Sequence, residues 1–248
     1  MVFFVIYGCS KTTSSSDSQP DIAKQIFSDS VTKFSVKVFY EPAAVPYTGV
    51  LNLTHDTWDI TNQSYQALFQ THTGRTISTP ATTSDMTVIA AQSKSTWSQD
   101  ELISLGSATA LPLMNGTQAT VSVIFLKGQF NGSSTVLGVH FTGYPFVFVF
   151  KDVVTSVGGT SNDQKYVEQA VVTHEVGHAV GLINNGVPMV TPHEDTAHPR
   201  HNSNNQCVMY WQVESSSSVL SSLSGLIGGG SLNLFASDTI NDGNSYHP

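Results

Sequence analysis

The alternation of apolar and polar positions along the chain predicts strands and helices that follow one another in sequence. Residues 34–40 alternate with a period of two and end before a Glu-Pro pair, which is typical of a half-buried strand. Residues 98–106 read as a helix with a capping residue at its start and a glycine at its end. The other predicted elements are a helix at 64–70, strands at 86–91, 120–126 and 136–152, and two segments at 219–227 and 232–240, of which the second is predicted to be helical.

The apolar region 136–152 is interrupted by Gly143 and Pro145. Because proline cannot donate to the hydrogen-bond ladder of a sheet, this region is predicted to lie at a sheet edge or to contain a bulge. An extended peptide can add to an exposed edge through its backbone. Residues 136–150 are therefore a candidate substrate-binding edge, and an internal strand with a bulge explains the pattern equally well.

The longest helical pattern runs from Ser161 to Gly181. Ser161 followed by Gln164 has the form of a capping box. The apolar positions fall on two opposite sides, which predicts a buried helix. One side carries Val167, Ala170, Val171, His174, His178 and Gly181, and the other carries Val172, Val176 and Ala179.

Two histidines of this helix, His174 and His178, lie four residues apart with Glu175 between them. Residues at i and i+4 share a helix face, so both imidazoles can reach one zinc ion about 2.0–2.1 Å from each nitrogen. Glu175 projects about 100° away, where its carboxylate can act on a water without being a ligand. The motif would arise by chance in about one per cent of shuffled sequences of this composition. Two ordinary core histidines are therefore the weaker interpretation.

The residues around this pair resemble the metzincin clan of zinc peptidases, whose motif continues to a glycine. The matching residues are His174, Glu175, His178 and Gly181. A glycine at this position can end the helix in a left-handed conformation and turn the chain back toward the metal. In the common metzincin pattern the third ligand follows three residues later, but that position holds Asn184, a neutral amide and a poor zinc ligand. The third ligand is therefore expected downstream.

The spacing of archaemetzincins favours His201 as that ligand. In archaemetzincins the third histidine is followed by a cysteine, four residues, a second cysteine, one residue and a methionine. His201, Asn202, Cys207 and Met209 are similar to this pattern, with Asn202 in place of the first cysteine and residues 184–200 as an insertion. The resemblance also implies that Met209 forms a hydrophobic floor beneath the zinc.

Other side chains remain alternative candidates for the third zinc ligand. His193 is the second choice and His198 the third. Glu194 would belong to a different zinc arrangement, in which a glutamate well downstream is presented from a second helix. Glu194, however, lies among prolines that prevent a regular helix: Pro188, Pro192 and Pro199.

The resemblance implies the fold and chemistry of a zinc endopeptidase. The expected fold is α+β, with a twisted, mostly parallel sheet, an antiparallel edge strand, a central active-site helix and a small irregular C-terminal lobe. One Zn²⁺ bound by His174, His178 and His201 would activate a water, and Glu175 would act as general base and then as general acid. The expected substrate is a polypeptide.

Composition narrows the classes of partner. The chain has 248 residues, of which 40% are hydrophobic, enough for one catalytic domain with a sizeable core. It carries only 10 Lys and Arg and a formal net charge of −8. Nucleic-acid binding, which needs clustered cations, is therefore not expected. A monomer is the expected state.

The two cysteines, Cys9 and Cys207, are expected to have different roles rather than to pair. Cys9 follows the apolar run 2–8, which is too short to span a membrane and is typical of the end of a signal sequence. Residues 6–9 resemble a bacterial lipobox, although Tyr7 is bulky and no Lys or Arg precedes the run. The resemblance implies a lipid anchor at Cys9 and an extracytoplasmic location, in the cell envelope or secreted. Cys207 would then be a free thiol; a buried first strand over residues 2–7 is the alternative.

These features divide the chain into three parts. Residues 1–8 are predicted to be a signal sequence, and residues 9–30 a lipidated cysteine with a Ser-rich tether whose polar composition cannot form a core. Residues 31–248 are predicted to be the catalytic domain, with an N-terminal lobe to about residue 182 and a C-terminal lobe over 183–248.

Two classes of function remain open from the sequence. The first is an active zinc endopeptidase. The second is a zinc-stabilised surface binding protein on a peptidase scaffold with little or no turnover, which Asn184 keeps open. Glu175 favours the enzyme, because a binding module gains nothing from a carboxylate beside a metal site.

Overall fold

The computed structural model describes residues 18–52, 54–228 and 232–248. The helices are α1 (Gln19–Phe27), α2 (Asp59–Leu68), α3 (Gln99–Thr109), α4 (Lys151–Ser156), α5 (Ser161–Val180), α6 (Val219–Gly228) and α7 (Ser237–Ser245). The strands are β1 (Lys33–Tyr40), β2 (Thr76–Ser78), β3 (Thr87–Val88), β4 (Thr96–Trp97), β5 (Met114–Asn115), β6 (Gln118–Leu126), β7 (Gln129–Phe130), β8 (Gly138–His140) and β9 (Phe146–Phe150). Short 3-10 helices lie at Thr83–Asp85 and Trp211–Glu214.

The main sheet has the strand order β2-β1-β6-β9-β8. Strands β2, β1, β6 and β9 are parallel, and β8 pairs antiparallel with β9 at one end of this order. All five residues of β9 are buried, as expected where a parallel sheet is covered on both faces. The predicted mostly parallel sheet with an antiparallel edge strand is therefore confirmed. The region 136–152 is not one strand, because β8, a turn, β9 and the start of α4 share it.

Two strand predictions differ from the structure. The predicted buried strand at 86–91 is wrong, because only Thr87–Val88 is extended and both residues are exposed. A short apolar run cannot by itself separate a buried strand from a segment that borders the sheet. Strand β1 was predicted to be half-buried, but six of its eight residues are buried and the other two are half-buried, since strands pair with it on both sides.

Helix α1 corrects the predicted tether. That tether was placed over residues 9–30, but residues 19–27 are helical and pack into the core through Ile22, Ala23, Ile26 and Phe27. These residues repeat at i and i+4, so they share one face of the helix. The predicted signal sequence and Cys9 lie outside the described residues. Within residues 18–52, 54–228 and 232–248, no helix is both long and apolar enough to cross a membrane.

Gln19 ties this first helix to the end of α5. Its side chain is buried, and its Nε2 donates to the carbonyl oxygens of His178 at 3.0 Å and Ala179 at 2.8 Å. Its Oε1 accepts a hydrogen bond from the backbone N–H of Gly143, in the turn between β8 and β9, at 3.0 Å. The carbonyls at a helix C-terminus lack intrahelical partners. Gln19 therefore satisfies two of them inside the protein.

Helix α5 runs through the core, as its two-sided apolar pattern predicts. All its residues from Val167 to Val180 are buried, and it contacts β8, β9 and α2. Its N-cap is Thr160 rather than the predicted Ser161, because Thr160 exchanges hydrogen bonds with Asp163. The capping box is therefore shifted by one residue.

Candidate metal centre

Gly181 ends helix α5 in the left-handed conformation that the sequence predicts. Its φ is +93°, and the N–H of Leu182 donates to the carbonyl of Gly177 at 3.0 Å, a common helix-ending arrangement. A Cβ at this position would lie 2.9 Å from the carbonyl oxygen of Asn185. Glycine is therefore required both for the backbone angle and for the close approach of the chain that leaves the helix.

His174, His178 and His201 converge on one point. The Nε2 atoms of His174 and His178 are 3.0 Å apart, and both rings are buried. His201 arrives from the loop between α5 and the 3-10 helix Trp211–Glu214, and its ring lies 5.3 Å from that of His174. The three histidines proposed from the sequence as zinc ligands thus lie together.

Glu214, which was not predicted, completes this cluster. Its Oε1 lies 2.9 Å from His201 Nε2, 3.3 Å from His174 Nε2 and 3.6 Å from His178 Nε2. The four ligand atoms all lie within 4.8 Å of one another. One sequence signal could have identified Glu214: it is the only acidic residue between Met209 and Asp238. However, Glu214 lies far from α5 in the sequence, so this signal does not show that it contacts the histidines.

Backbone carbonyls fix the orientation of two of the rings. His174 Nδ1–H donates to the carbonyl of Val208 at 2.7 Å, and His201 Nδ1–H donates to that of Pro199 at 3.2 Å. A carbonyl can only accept, so each neutral ring carries its lone pair on Nε2. Metal-binding histidines characteristically make such a bond on the other ring nitrogen. Lone pairs and an anionic oxygen therefore meet at the centre, and a cation satisfies them all.

The ligand set fits Zn²⁺. Ligands at about 2.0–2.1 Å around a tetrahedral ion lie about 3.3 Å apart. The distances from Glu214 Oε1 to the three histidine nitrogens range from 2.9 to 3.6 Å and so include that value. Imidazole nitrogen and carboxylate oxygen are both ordinary zinc ligands. His174, His178, His201 and Glu214 could therefore hold one zinc ion.

The two alternative histidines lie in other contacts. His193 Nε2 is 3.2 Å from Asp242 Oδ2, and its Nδ1–H donates to the carbonyl of Thr191 at 2.8 Å. His198 pairs with Asp195 at 2.8 Å and stacks on a tryptophan ring. Neither belongs to the cluster of possible metal ligands.

Glu194 and Asn184 also lie outside the cluster. Asn184 Nδ2 donates to Glu194 Oε2 at 3.2 Å, and the N–H of Arg200 donates to Glu194 Oε1 at 2.7 Å. Glu194 thus closes the loop that residues 184–200 form. Asn184 has a left-handed φ of +57°, which asparagine tolerates better than most residues. Its role is structural in this loop.

Glu175 is buried beside the cluster. Its side chain is 1% exposed, and its Oε1 has no hydrogen-bond partner among the described residues. Burial raises the pKa of this carboxyl well above its ordinary value, and the negative charge of Glu214 raises it further. A Cβ at Gly138 of the edge strand β8 would lie 2.7 Å from Glu175 Cγ. Glycine therefore lets the edge strand approach this carboxyl.

No protein-family model matches the chain. No curated protein matches it either. Among solved structures, the chain is similar to an archaemetzincin from Archaeoglobus fulgidus crystallised with malonate, with a TM-score of 0.43 and 14% identity over 83% of this chain and 99% of that one. It is also similar to a zinc-dependent peptidase from Methanocorpusculum labreanum, with a TM-score of 0.39 and 12% identity over 71% of this chain and 87% of that one. Both similarities are distant, so the site has to be interpreted from its own residues.

The charges in the cluster are mutually dependent. Burial acts to raise the pKa of Glu214, but hydrogen bonds from His174, His178 and His201 hold it well below its ordinary value. Burial lowers the pKa of His178 well below its ordinary value, against the hydrogen bond to Glu214. Glu214 is therefore an anion, and the buried His178 is neutral, as a metal ligand must be.

Met209 packs against α5 at Gly177. It is fully buried, and a Cβ added at Gly177 would lie 2.5 Å from its sulfur. Gly177 lies between Glu175 and His178 on α5, so the methionine packs directly on the helix turn that carries these candidate residues. Nearby, Cys207 is a buried free thiol, as predicted, with its sulfur 3.4 Å from Thr239 Oγ1.

Gly177→Ala is expected to destabilise the protein by about 1–3 kcal/mol, because the added methyl group overpacks the core against Met209. Urea unfolding followed by circular dichroism would measure the change. Gly158→Ala is the matched control, since a Cβ there meets nothing within 4 Å. Equal stability of the two variants would contradict tight packing of Met209 on α5.

Proposed function

We propose that the protein is a zinc-dependent endopeptidase that hydrolyses polypeptides. The observation that carries this proposal is the cluster of three histidines beside Glu175, which shares a helix turn with His174 and His178 and whose buried Oε1 has no hydrogen-bond partner among the described residues. A structural zinc site does not need the carboxyl of Glu175, which is costly to bury without a partner. A proton acceptor beside a hydrolytic metal does need that position.

The roles of the residues follow from their contacts. Bound Zn²⁺ supplies a Lewis acid that lowers the pKa of a water to about 7 and polarises a carbonyl. His174, His178 and His201 would hold the ion, and Val208 and Pro199 hold two of these rings in the required tautomer. Glu175 would take the proton of the attacking water and deliver it to the nitrogen of the departing amine as the C–N bond breaks.

The edge strand β8 is the proposed binding surface for the substrate. It is the last strand in the order of the main sheet, and Gly138 within it lies against Glu175. An extended peptide that pairs with β8 would place its backbone next to the metal centre. Residues just before β8 are already paired, because the N–H of Leu137 donates to the carbonyl of Glu214 at 3.0 Å. The substrate would therefore occupy the strand itself.

Metal removal is the primary test of this function. The purified protein is expected to cleave casein or gelatin, to lose that activity after dialysis against a chelator, and to regain it when one equivalent of Zn²⁺ is added. Release of new amino termini would measure the rate. Cleavage that persists in metal-free protein would contradict the proposal.

A specific observation also favours the second candidate function, a zinc-stabilised binding protein with little turnover. Glu214 stands where a fourth zinc ligand would be, and structural zinc sites have four protein ligands whereas catalytic sites keep one position open. The three histidines enclose the carboxylate of Glu214, but its side chain as a whole is 39% exposed, so it can rotate into solvent and release that position. A peptidase requires that Glu214 leave this position, whereas a zinc-stabilised binding protein requires that it stay.

Glu214→Gln separates them. If the protein is a peptidase, this variant is expected to retain zinc on three histidines and to cleave casein with a kcat/KM higher by about tenfold, the effect of removing one charge-assisted contact of about 1.5 kcal/mol. The amide is neutral and competes poorly for the metal. If both proteins are inactive and the variant binds zinc more weakly than the wild type, the closed binding protein is the correct function.

A further inference from the structure

A second group of metal-ligating side chains lies away from the candidate metal centre. Asp29 follows α1, His72 lies between α2 and β2, and His247 follows α7. Asp29 Oδ1 is 2.7 Å from His247 Nδ1 and 3.7 Å from His72 Nδ1. The two imidazole rings stack with centroids 4.3 Å apart. All three ligand atoms lie within 4.8 Å of one another.

The outer nitrogen of each ring is directed at a backbone carbonyl. His72 Nε2–H donates to Gly243 at 3.1 Å, and His247 Nε2–H donates to Asn244 at 3.2 Å. Both carbonyls belong to the last turn of α7, where helix carbonyls lack intrahelical partners. In the neutral tautomers, both rings therefore direct the lone pair of Nδ1 toward Asp29. This is the arrangement in which metal-binding histidines are found.

His72 provides a second, independent observation. Its side chain is 1% exposed, and its Nδ1 has no hydrogen-bond partner among the described residues. An ion pair between protonated His247 and Asp29 would satisfy those two groups, but it would leave this buried nitrogen without a partner. A bound cation satisfies all three side chains together.

The surrounding charges are mixed. Burial disfavours the charged form of His72 and lowers its pKa. Without a metal ion, a proton on His247 Nδ1 can be donated to Asp29, and this hydrogen bond lowers the pKa of Asp29; a bound cation would take the place of that proton. Arg75 is the nearby cation, but its guanidinium is directed at the carbonyls of Ser28 and Val31. Its charge would reduce the affinity for a cation without occupying the site.

We propose that Asp29, His72 and His247 form a second metal site that binds a divalent transition-metal ion. Two imidazoles and one carboxylate suit Zn²⁺, Ni²⁺ or Cu²⁺ rather than Mg²⁺ or Ca²⁺, which prefer oxygen ligands. The side chain of Asp29 is 72% exposed, so water completes the coordination. The ion would link three segments that are far apart in the sequence. Binding at this second site does not depend on the proposed peptidase activity.

Zinc stoichiometry in equilibrium dialysis tests this site. We expect the wild-type chain to bind one equivalent more than His247→Ala and Asp29→Asn, which remove partly or largely exposed ligands and leave the core intact. The zinc affinity of this site should fall at least tenfold, the lower end of the effect of disturbing even an outer-shell partner of a metal. His55→Ala is the matched control, because His55 pairs with Asp59 on the surface and belongs to no group of three possible metal ligands among the described residues.

Two further measurements test whether these residues bind the metal. The rise in Tm on addition of Zn²⁺ should be smaller in His247→Ala than in His55→Ala, because an ion that binds only the folded chain stabilises it. Electron paramagnetic resonance of Cu²⁺ at this site should show two coupled nitrogens in the wild type and fewer in His247→Ala. Equal zinc uptake by the wild type, His247→Ala and Asp29→Asn would overturn the proposal, as would a copper spectrum that the substitution leaves unchanged.

Discussion

Glu175→Gln is expected to lower casein cleavage by about 10²- to 10⁴-fold, the contribution of a positioned general base, with zinc still bound. The amide occupies nearly the same volume, so the buried position beside Gly138 can accept it. It cannot accept the proton of the attacking water. The cleavage rate and the zinc content would be measured on the same preparation to test this expectation.

The matched control for this variant is Glu101→Gln. Glu101 lies on the surface of α3 and contacts Lys94 and the helix N-cap, so its loss should leave cleavage unchanged. Retention of wild-type activity in Glu175→Gln would exclude Glu175 as the proton acceptor. Loss of zinc in that variant would instead show that Glu175 supports the metal.

His201→Ala is expected to reduce zinc affinity more than about 100-fold and to abolish cleavage, because losing a ligand exceeds the effect of losing an outer-shell contact. The Nε2 atom of His201 is the one nearest to Glu214, so its removal opens the cluster on that side. Competition with a zinc-binding dye would measure the affinity. Circular dichroism would show whether the fold is retained.

His193→Ala is the decisive comparison for the third ligand. His193 is buried against Asp242, where burial raises the pKa of that carboxyl to about 6. Its removal is expected to reduce stability modestly and to leave zinc content unchanged. A zinc-free His193→Ala together with a zinc-replete His201→Ala would reverse the assignment of the third ligand.

The part of the site that could be predicted from sequence is the part that is local. His174, Glu175 and His178 lie on a single helix turn, and the position of Gly181 depends on the same helix. Helical periodicity alone fixes how these residues face one another. The fold class could be predicted for a similar reason, since the apolar composition of strand β9 and helix α5 itself indicates that they are buried.

The sequence singles out Glu214 as an isolated acidic residue, but its place beside the histidines could not be predicted because tertiary pairing sets it. The backbone of Glu214–Ser216 pairs with residues 135–137, through the bond from Leu137 and a second from Ser216 to the carbonyl of Thr135 at 2.8 Å. Nothing in the local sequence indicates that pairing. His201 was accessible only through a family resemblance in spacing, and not through any pattern of its own.

The boundary of the N-terminal tether was placed too late for a different reason. The polar composition of residues 10–20 suggested a segment without structure. However, the apolar repeat Ile22, Ala23, Ile26 and Phe27 follows at once and packs against the core. A short helix of this kind is marginal on its own and is stabilised by what it packs against.

The buried amide of Gln19 joins the beginning of the described chain to the centre of the protein. It holds the end of α5 that carries His178 and the turn beside the edge strand β8. A pulling force applied to the chain at residue 18 would reach the end of α5 and the turn beside β8 through this side chain, in addition to the apolar packing of α1 on α5. Gln19→Ala would remove the polar part of this link and leave the apolar part, so the two contributions can be separated mechanically.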